Sequence, residues 1–436
     1  MRRCAFVLVL LGSVAGIGCE RSRSTLRSDA ETPPVSVQHL GRAQTDNATP
    51  ILASSGPWVV AVWTANDKDA TDVYAATSHD SGAHFGPAVR VNDNAGEAHV
   101  YGEDPPRVAI IRHDATATPT ITVTWPSDRS KRLGLRSALS IDGGRTFATS
   151  VSIGDETVVG ERGFQSIAID RDGVARAAWL DQRRDPGTPR HANAGEDWDP
   201  MHLMYAYEKA DGHWSAEVRL ASTVCGCCKT ALATGADGSI YLAFRNIYPG
   251  NLRDISFTVS RDGRVFSSPV RVSEDHWALN GCPDDGPTMA IDRAGTVHIV
   301  WPTLVDGPEP AIGLFHASTR DGVTFTPRQR IPTLGTIKPS HPQMTLDGCG
   351  TLTLLWDEAQ GAARRVAMRR LTPESSGAVS VGEATLISGP PSAVYPVVAP
   401  VDRGVVTAWN EIAIAGHPSA IGVRSLDFGP TCSAGR

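Results

Sequence analysis

A short strand that ends on an aromatic residue recurs along most of the chain, and this repeat restricts the possible folds more than any other feature. One complete unit spans residues 287–325. In it, the apolar run PTMAID, the alternating strand TVHIVW, a third strand and the turn TRDGVTF follow one another. The TVHIVW strand ends at Trp301, and equivalent strands end at Trp63, Trp125, Trp179, Phe244, Trp356 and Trp409. Successive units are therefore 53 to 65 residues apart.

Each unit has room for at most four short strands, and a single sheet of this size cannot bury both of its faces. A closed ring of such sheets buries each sheet against its neighbours. We therefore predict an all-β protein, a β-propeller of four-stranded antiparallel blades, with seven blades and six as the alternative. The strand-like segment at 35–40 precedes the first unit, and the seventh unit lacks an outer strand. This predicts that the N-terminal strand closes the ring.

Several turns after the third strands resemble the Asp-box, or BNR, repeats of sialidase-like propellers. They are SHDSGAHF at 78–85, SIDGGRTF at 140–147, SRDGRVF at 260–266, TRDGVTF at 319–325 and the shorter ADGHW at 210–214. The Asp carboxylate should accept hydrogen bonds from backbone N–H groups of its own turn, and the Gly should adopt positive φ. The resemblance implies a role in folding for these turns, away from any active site.

The N-terminal segment has the pattern of a secretory signal, with two Arg residues followed by a short apolar core. We predict a signal peptide at 1–18, a flexible tether at 19–34 and the propeller at 35–436. Gly18-Cys19 resembles the end of a bacterial lipobox, although Gly16 replaces the usual Leu. This implies lipidation at Cys19, with plain secretion as the alternative, and hence an extracytoplasmic protein of the bacterial cell envelope, periplasmic or surface-facing.

The chain carries 41 basic and 47 acidic residues, for a net charge of −6, and has no basic tract. This balance argues against nucleic acid as a partner and against an anionic bilayer as a binding surface. The predicted partners are a glycan or another small polar ligand, with the membrane reached only through the N-terminal anchor. We expect a monomer without a cofactor.

Cysteines are grouped in VCGCCKT and LNGCPDDGP. In an oxidising compartment they are most simply disulfides, and the candidates are Cys225, Cys227, Cys228, Cys282, Cys349 and Cys432. Cys349 with Cys432 would pin the C-terminal tail to blade six. The other four precede the inner strands of neighbouring units, so they could form two disulfides, bind Zn(II) or Cu(I) through four thiolates, or be redox-active. Their CxCC…GCP pattern resembles a feature of some bacterial sialidase-like propeller proteins.

In a propeller the mouth of the central channel collects side chains from every blade, so we place the candidate site there. The resemblance to sialidases implies a Tyr nucleophile activated by Glu, an Asp acid and base, and arginines that hold a carboxylate. Tyr395, Glu161 and Asp185 match these catalytic roles. The candidate ligand-binding residues are Arg107, Arg162, Arg245, Arg253, His341 and Asp284. The F/Y-R-I-P motif of sialidases is missing from the sequence.

Three functional hypotheses follow. The first is a propeller that binds a glycan or small polar ligand at the channel mouth without hydrolysing it. The second is an active exo-sialidase with a Tyr nucleophile. The third is a metal, thiolate or redox role of the grouped cysteines.

Overall fold

The computed structural model describes residues 37–429 except 69, 130–132, 159, 184–200, 284, 306–310, 336–337 and 415. The predicted signal peptide and tether, Cys19, Asp185, Asp284 and Cys432 lie outside the described residues. Within them, no helix has the length and apolar character needed to cross a membrane.

The described residues form strands almost exclusively, with bends and turns between them. In chain order the strands are β1 (Gln38–Leu40), β2 (Asp46–Ser55), β3 (Trp58–Asp67), β4 (Ala70–Ser78), β5 (Val89–Arg90), β6 (Arg107–Ile111), β7 (Thr120–Ser127), β8 (Gly134–Ser140), β9 (Val151–Ile153), β10 (Arg162–Ile169), β11 (Ala175–Asp181), β12 (Met201–Tyr207), β13 (Val218–Val224), β14 (Ala231–Thr234), β15 (Ile240–Arg245), β16 (Ile255–Ser260), β17 (Val270–Arg271), β18 (Thr288–Ile291), β19 (Val297–Val305), β20 (Ala311–Thr319), β21 (Gln329–Ile331), β22 (Ser340–Leu346), β23 (Leu352–Gln360), β24 (Ala363–Pro373), β25 (Val379–Val381), β26 (Thr385–Leu386), β27 (Ala393–Val401), β28 (Gly404–Glu411) and β29 (Ala420–Asp427).

These strands make seven antiparallel sheets within the described part of the chain, which confirms the prediction of a seven-bladed propeller. Blade 1 is β2–β5, blade 2 is β6–β9, blade 3 is β10–β13, blade 4 is β14–β17, blade 5 is β18–β21, blade 6 is β22–β25 with β26 beside β24, and blade 7 is β27–β29 with β1. The first strand of each blade contacts the first strands of its two neighbours, so these inner strands form a closed ring around the channel.

The ring closes where the two ends of the described chain meet. Strand β1 pairs antiparallel with β29, with Gln38 opposite Val423 and Leu40 opposite Ile421. The N-terminal strand therefore supplies the outer strand of blade 7, as the sequence predicts. This arrangement ties the last blade to the first segment of the domain.

The recurring aromatic residues form the contacts between blades. Trp63, Trp125, Trp179, Trp301, Trp356 and Trp409 are all almost completely buried. Trp63 packs in one cluster with Val397 and Ala399 of blade 7, and Trp125 packs in another with Val60 of blade 1. Each indole thus fills the space against the preceding sheet, which explains why a large aromatic residue recurs in the second strand of each blade. These strands continue beyond the aromatic residue, to Asp67 in β3 and to Val305 in β19, and do not end on it as the sequence pattern predicts.

The turns that resemble Asp boxes are hydrogen-bonded within themselves. Asp142 accepts hydrogen bonds from the backbone N–H groups of Arg145 and Thr146, each at 3.0 Å. Gly144 donates its N–H to Ser140 Oγ at 2.9 Å and has a φ of 85°. The equivalent aspartates at 80, 262 and 321 make the same kind of contact. These carboxylates serve their own turns.

Candidate functional site

Four inner strands have an irregularity near their start, where a large or branched residue adopts positive φ. The residues involved are Thr49, Phe164, His341 and Tyr395, with φ between 53° and 55°. At each one the pairing register with the second strand shifts, as in a β-bulge. Positive φ is unfavourable for such residues, so the surrounding contacts must hold them in place.

For three of these four residues, a carboxylate of the preceding blade supplies that contact. The backbone N–H of Phe164 donates to Asp104 Oδ1 at 2.6 Å, that of His341 to Asp285 Oδ2 at 2.6 Å, and that of Tyr395 to Asp357 Oδ2 at 3.1 Å. The acceptors are almost completely buried. The bulges are therefore fixed by contacts between blades, and their geometry depends on ring closure.

A polar cleft lies at this mouth. Its polar lining comes from blades 2, 4, 6 and 7, namely Glu103, Arg107, Lys229, His341, Gln343 and Tyr395. Thr49 and Pro50 of blade 1 complete the wall. Arg107, Lys229 and Gln343 also line a deeper cavity between the inner strands. The cleft thus leads into the central channel.

His341 lies at the centre of this cleft and bridges two carboxylates. Its Nδ1 lies 2.5 Å from Asp357 Oδ2, and its Nε2 lies 2.8 Å from Glu103 Oε1. Burial alone would lower the pKa of His341, but Asp357, Glu103 and Asp285 raise that pKa to about 10. The imidazole is therefore a cation at neutral pH that donates both of its N–H groups. Its ring lies 4.2 Å from the ring of Tyr395.

Two further cations point into the cleft. Arg107 is buried, its Nε donates to the carbonyl of Gln165 at 2.7 Å, and its Nη2 has no hydrogen-bond partner among the described residues. Burial lowers the pKa of Arg107 to about 10 despite Asp104 and Glu103. Lys229 Nζ donates to the carbonyl of Pro342 at 2.9 Å and lies 3.7 Å from Asp285 Oδ1. Burial also lowers the pKa of Lys229.

The other predicted arginines have structural partners instead. Arg162 forms a buried ion pair with Asp181 at 3.1 Å. Arg245 is fully buried and donates to the carbonyls of Arg253 at 2.6 Å and Pro302 at 2.8 Å. Arg253 Nη1 lies 3.3 Å from Cys225 Sγ. None of these three lines the cleft described above.

The structure therefore brings Arg107, His341 and Tyr395 together from the predicted set. Glu161 is exposed in the loop before β10 and is not among the residues that line the cleft. Sequence reasoning did not assign roles to the remaining polar residues of the site, which are Glu103, Lys229, Asp285, Gln343 and Asp357. Glu103, Lys229 and Asp285 lie just before inner strands, and Asp357 follows the recurring Trp356, so their positions in the sequence could have indicated them.

The grouped cysteines pack with apolar side chains of blades 3 and 4. Cys227 and Cys282 form a disulfide, with their Cα atoms 6.1 Å apart. Cys225 and Cys228 are buried thiols. This cluster therefore holds one disulfide, not the two that the sequence allowed. Cys349 is also disulfide-bonded, and its predicted partner Cys432 lies outside the described residues.

No protein-family profile matches the chain, and no curated protein sequence matches it. Among solved structures, a polysaccharide lyase of family PL25, an ulvan lyase, is 9% identical and covers 89% of this chain and 96% of its own, with a TM-score of 0.58. The polysaccharide lyase Uly1 is 14% identical and covers 89% and 92%, with a TM-score of 0.52. The Hadza microbial sialidase Hz136 is 13% identical and covers 83% and 74%, with a TM-score of 0.46. The two lyases share the fold of this chain, and at these identities the likeness shows the fold alone.

Proposed function

We propose that this protein binds an acidic carbohydrate in the cleft at the channel mouth. The observation that carries the proposal is the convergence of Arg107, Lys229, His341 and Tyr395, contributed by four different blades, on one cleft. Such convergent polar groups with an aromatic wall are typical of ligand sites. A sugar with a carboxylate or sulfate group fits this set better than a neutral sugar does.

The charge of the cleft supports an anionic ligand. Arg107 Nη2 is a buried donor without a partner in the described structure, and a guanidinium suits a carboxylate or sulfate oxygen. His341 is held as a cation by groups already in place, so it needs no ligand to become charged. A bound anion would satisfy the unpaired donor and gain charge-assisted hydrogen bonds.

A solved structure with a similar fold extends the proposal to a ligand class. An ulvan lyase with 9% identity and a TM-score of 0.57 was solved bound to -[GlcA(1-4)Rha3S]-. We take oligosaccharides of this acidic kind as the first ligands to test on this chain.

Titration calorimetry with the full-length protein tests the proposal. We expect a glucuronate-containing oligosaccharide to bind more tightly than a neutral oligosaccharide of equal length. Arg107→Gln and Lys229→Met should each weaken binding by roughly 10- to 100-fold, since each removes a charge-assisted hydrogen bond. The matched control is Arg145→Gln, which lies in the same blade as Arg107 but on an exposed turn. Equal affinity for the acidic and neutral ligands, or an unchanged affinity in Arg107→Gln, would contradict the proposal.

Catalysis in the same cleft is the second candidate, because the ring of Tyr395 contacts the ring of His341, and this pairs a phenol with a charged imidazole. Two assays separate it from binding alone. They are release of sialic acid from a fluorogenic sialoside and formation of an unsaturated product from a uronate polysaccharide. Product that disappears in Tyr395→Phe would support an enzyme. Ligand binding without product would support a binding protein.

We also propose that the protein is anchored to the bacterial envelope through Cys19. The Cys227–Cys282 disulfide supports an oxidising compartment. Metabolic labelling with a fatty-acid analogue should label the wild type and not Cys19→Ala. Labelling that is equal in both proteins would contradict lipidation at Cys19.

A further inference from the structure

Four sulfur atoms meet outside the cleft, in the cysteine cluster formed by Cys225, Cys227, Cys228 and Cys282. The Sγ atoms of Cys228 and Cys225 are 3.0 Å apart and hydrogen-bonded. Cys225 Sγ also lies 3.8 Å from Cys227 Sγ, which is already bonded to Cys282. A thiol therefore contacts a second thiol on one side and a disulfide sulfur on the other.

The surroundings of Cys225 favour its thiolate. Arg253 Nη1 donates to Cys225 Sγ at 3.3 Å, and Arg253 Nε is buried without a hydrogen-bond partner among the described residues. The hydrogen bond from Cys228 is the main cause that lowers the pKa of Cys225 to about 6, and Arg253 and Arg245 lower it further against the effect of burial. Burial raises the pKa of Cys228, so Cys228 keeps its proton and acts as the donor.

The arrangement suits exchange better than metal binding. The Sγ atoms of Cys225, Cys227 and Cys228 lie within 4.8 Å of one another, close enough for a shared metal ion. However, Cys227 is bonded to Cys282 and offers no thiolate. A thiolate beside a disulfide sulfur is the arrangement that thiol–disulfide exchange requires.

We propose that the cysteine cluster is a thiol–disulfide exchange site that accepts oxidising equivalents from a low-molecular-weight disulfide. Cys225 and Cys228 are completely buried, so an external disulfide cannot reach them directly. Cys282 is partly exposed and is the point of entry. The existing disulfide connects the outside of the protein to the buried pair.

The exchange proceeds in balanced steps. The Cys225 thiolate attacks Cys227, the Cys227–Cys282 bond breaks, and Cys282 leaves as a thiolate. Cys282 then attacks the external disulfide RSSR, forms a mixed disulfide and releases RS⁻. Cys228 attacks Cys225 and frees Cys227, which attacks Cys282, restores the original bond and releases the second RS⁻. The proton of Cys228 passes to one RS⁻, and the other RS⁻ takes from solvent the proton that Cys225 gave up on becoming a thiolate, so the buried pair is oxidised and RSSR becomes two RSH.

A pair of serine variants tests this order of events. Each full-length protein is incubated with oxidised glutathione, quenched with acid and mapped by peptide mass spectrometry. The wild type should lose two thiols and retain no glutathione. Cys228→Ser cannot complete the sequence, so it should accumulate one glutathione on Cys282. Cys225→Ser cannot begin the sequence, so it should show neither glutathione on Cys282 nor loss of the Cys228 thiol.

The two variants are matched in size and place, so a general loosening of the cluster would affect both equally. Glutathione on Cys282 in Cys225→Ser, or unchanged thiols in the wild type, would overturn the proposal. If the variants do not fold, brief treatment of the wild type with iodoacetamide tests the proposal instead, because this reagent labels free thiolates. The proposal requires the label on Cys282 with a Cys225–Cys227 bond. A label on Cys225 or Cys228 with Cys227–Cys282 intact, or no label at all, would overturn it.

Discussion

The Asp-box-like turns and the channel mouth both use an aspartate that accepts backbone N–H groups, yet the two environments act on the carboxylate in opposite directions. Asp142 takes its donors from within four residues, and the hydrogen bonds from Thr146 lower the pKa of this half-buried carboxylate to about 2. Asp104 accepts from Phe164, 60 positions away, and burial raises its pKa to about 7 although that bond and Arg107 lower it. The exposure of the carboxylate to water, and not its contact with an N–H group, decides whether its pKa is lowered or raised.

This difference separates folding from function. A carboxylate that serves its own exposed turn gains hydrogen bonds at little desolvation cost. Burying a carboxylate has a large desolvation cost, so a buried carboxylate is tolerated only where hydrogen bonds or ion pairs compensate for that cost. At the mouth those partners hold residues with positive φ, such as His341 and Tyr395, in their places. The mouth therefore carries the strain and charge that a ligand site needs, whereas the turns do not.

The largest expected effect comes from removing a mouth carboxylate. Asp357 is completely buried, and its side chain accepts from His341, from the N–H of Tyr395 and from Arg364. Asp357→Asn removes one of the two carboxylates that His341 bridges and the carboxylate partner of Arg364, so we expect a loss of about 3–5 kcal/mol in the free energy of unfolding. Urea denaturation followed by tryptophan fluorescence measures it. A loss no greater than that of Asp142→Asn would remove the distinction between the two regions.

A smaller effect, with a specific pH dependence, is expected for His341→Gln. The folded-state pKa of His341 is raised to about 10, above the ordinary value of 6.5, by Asp357, Glu103 and Asp285 despite burial. The stabilisation is therefore fully present below pH 6.5 and is lost as pH rises through about 10. We expect the variant to be less stable than the wild type by roughly 2–3 kcal/mol at pH 6, because it loses hydrogen bonds to charged groups.

Denaturation curves at several pH values between 6 and 10 check this dependence. The difference between wild type and His341→Gln should shrink steadily across that range. Arg145→Gln, on an exposed turn, serves as the control and should show no such trend. A difference that stays constant with pH would mean that His341 is not held as a cation.

The sequence predicts local features of this protein better than contacts between blades. The recurring aromatic residues, the Asp-box-like turns and the closing strand before residue 41 each depend on a short pattern with a direct physical cause. The channel mouth does not depend on a short pattern, because Glu103 and His341 are 238 positions apart in the sequence and meet only in the closed ring. Residue type alone could not separate Arg107, which faces the cleft, from Arg245, which serves backbone carbonyls. The CxCC pattern of Cys225, Cys227 and Cys228 is visible in the sequence, but the contact of Cys225 with the Cys227–Cys282 disulfide is not.

The smallest expected effect lies in an Asp-box-like turn. Asp142→Asn weakens local hydrogen bonds to Thr146 and Arg145 in an exposed segment, so we expect a loss of about 1 kcal/mol in the free energy of unfolding at pH 7. Because the folded-state pKa of Asp142 is lowered from 3.8 to about 2, this contribution is present above pH 3.8 and is lost as pH falls through about 2. Ligand affinity should not change, since the turn is not part of the cleft. Denaturation at pH 7 and pH 3 measures the change in the free energy of unfolding, and calorimetric titration with the acidic oligosaccharide measures the ligand affinity. Weaker binding in Asp142→Asn would mean that these turns also shape the site.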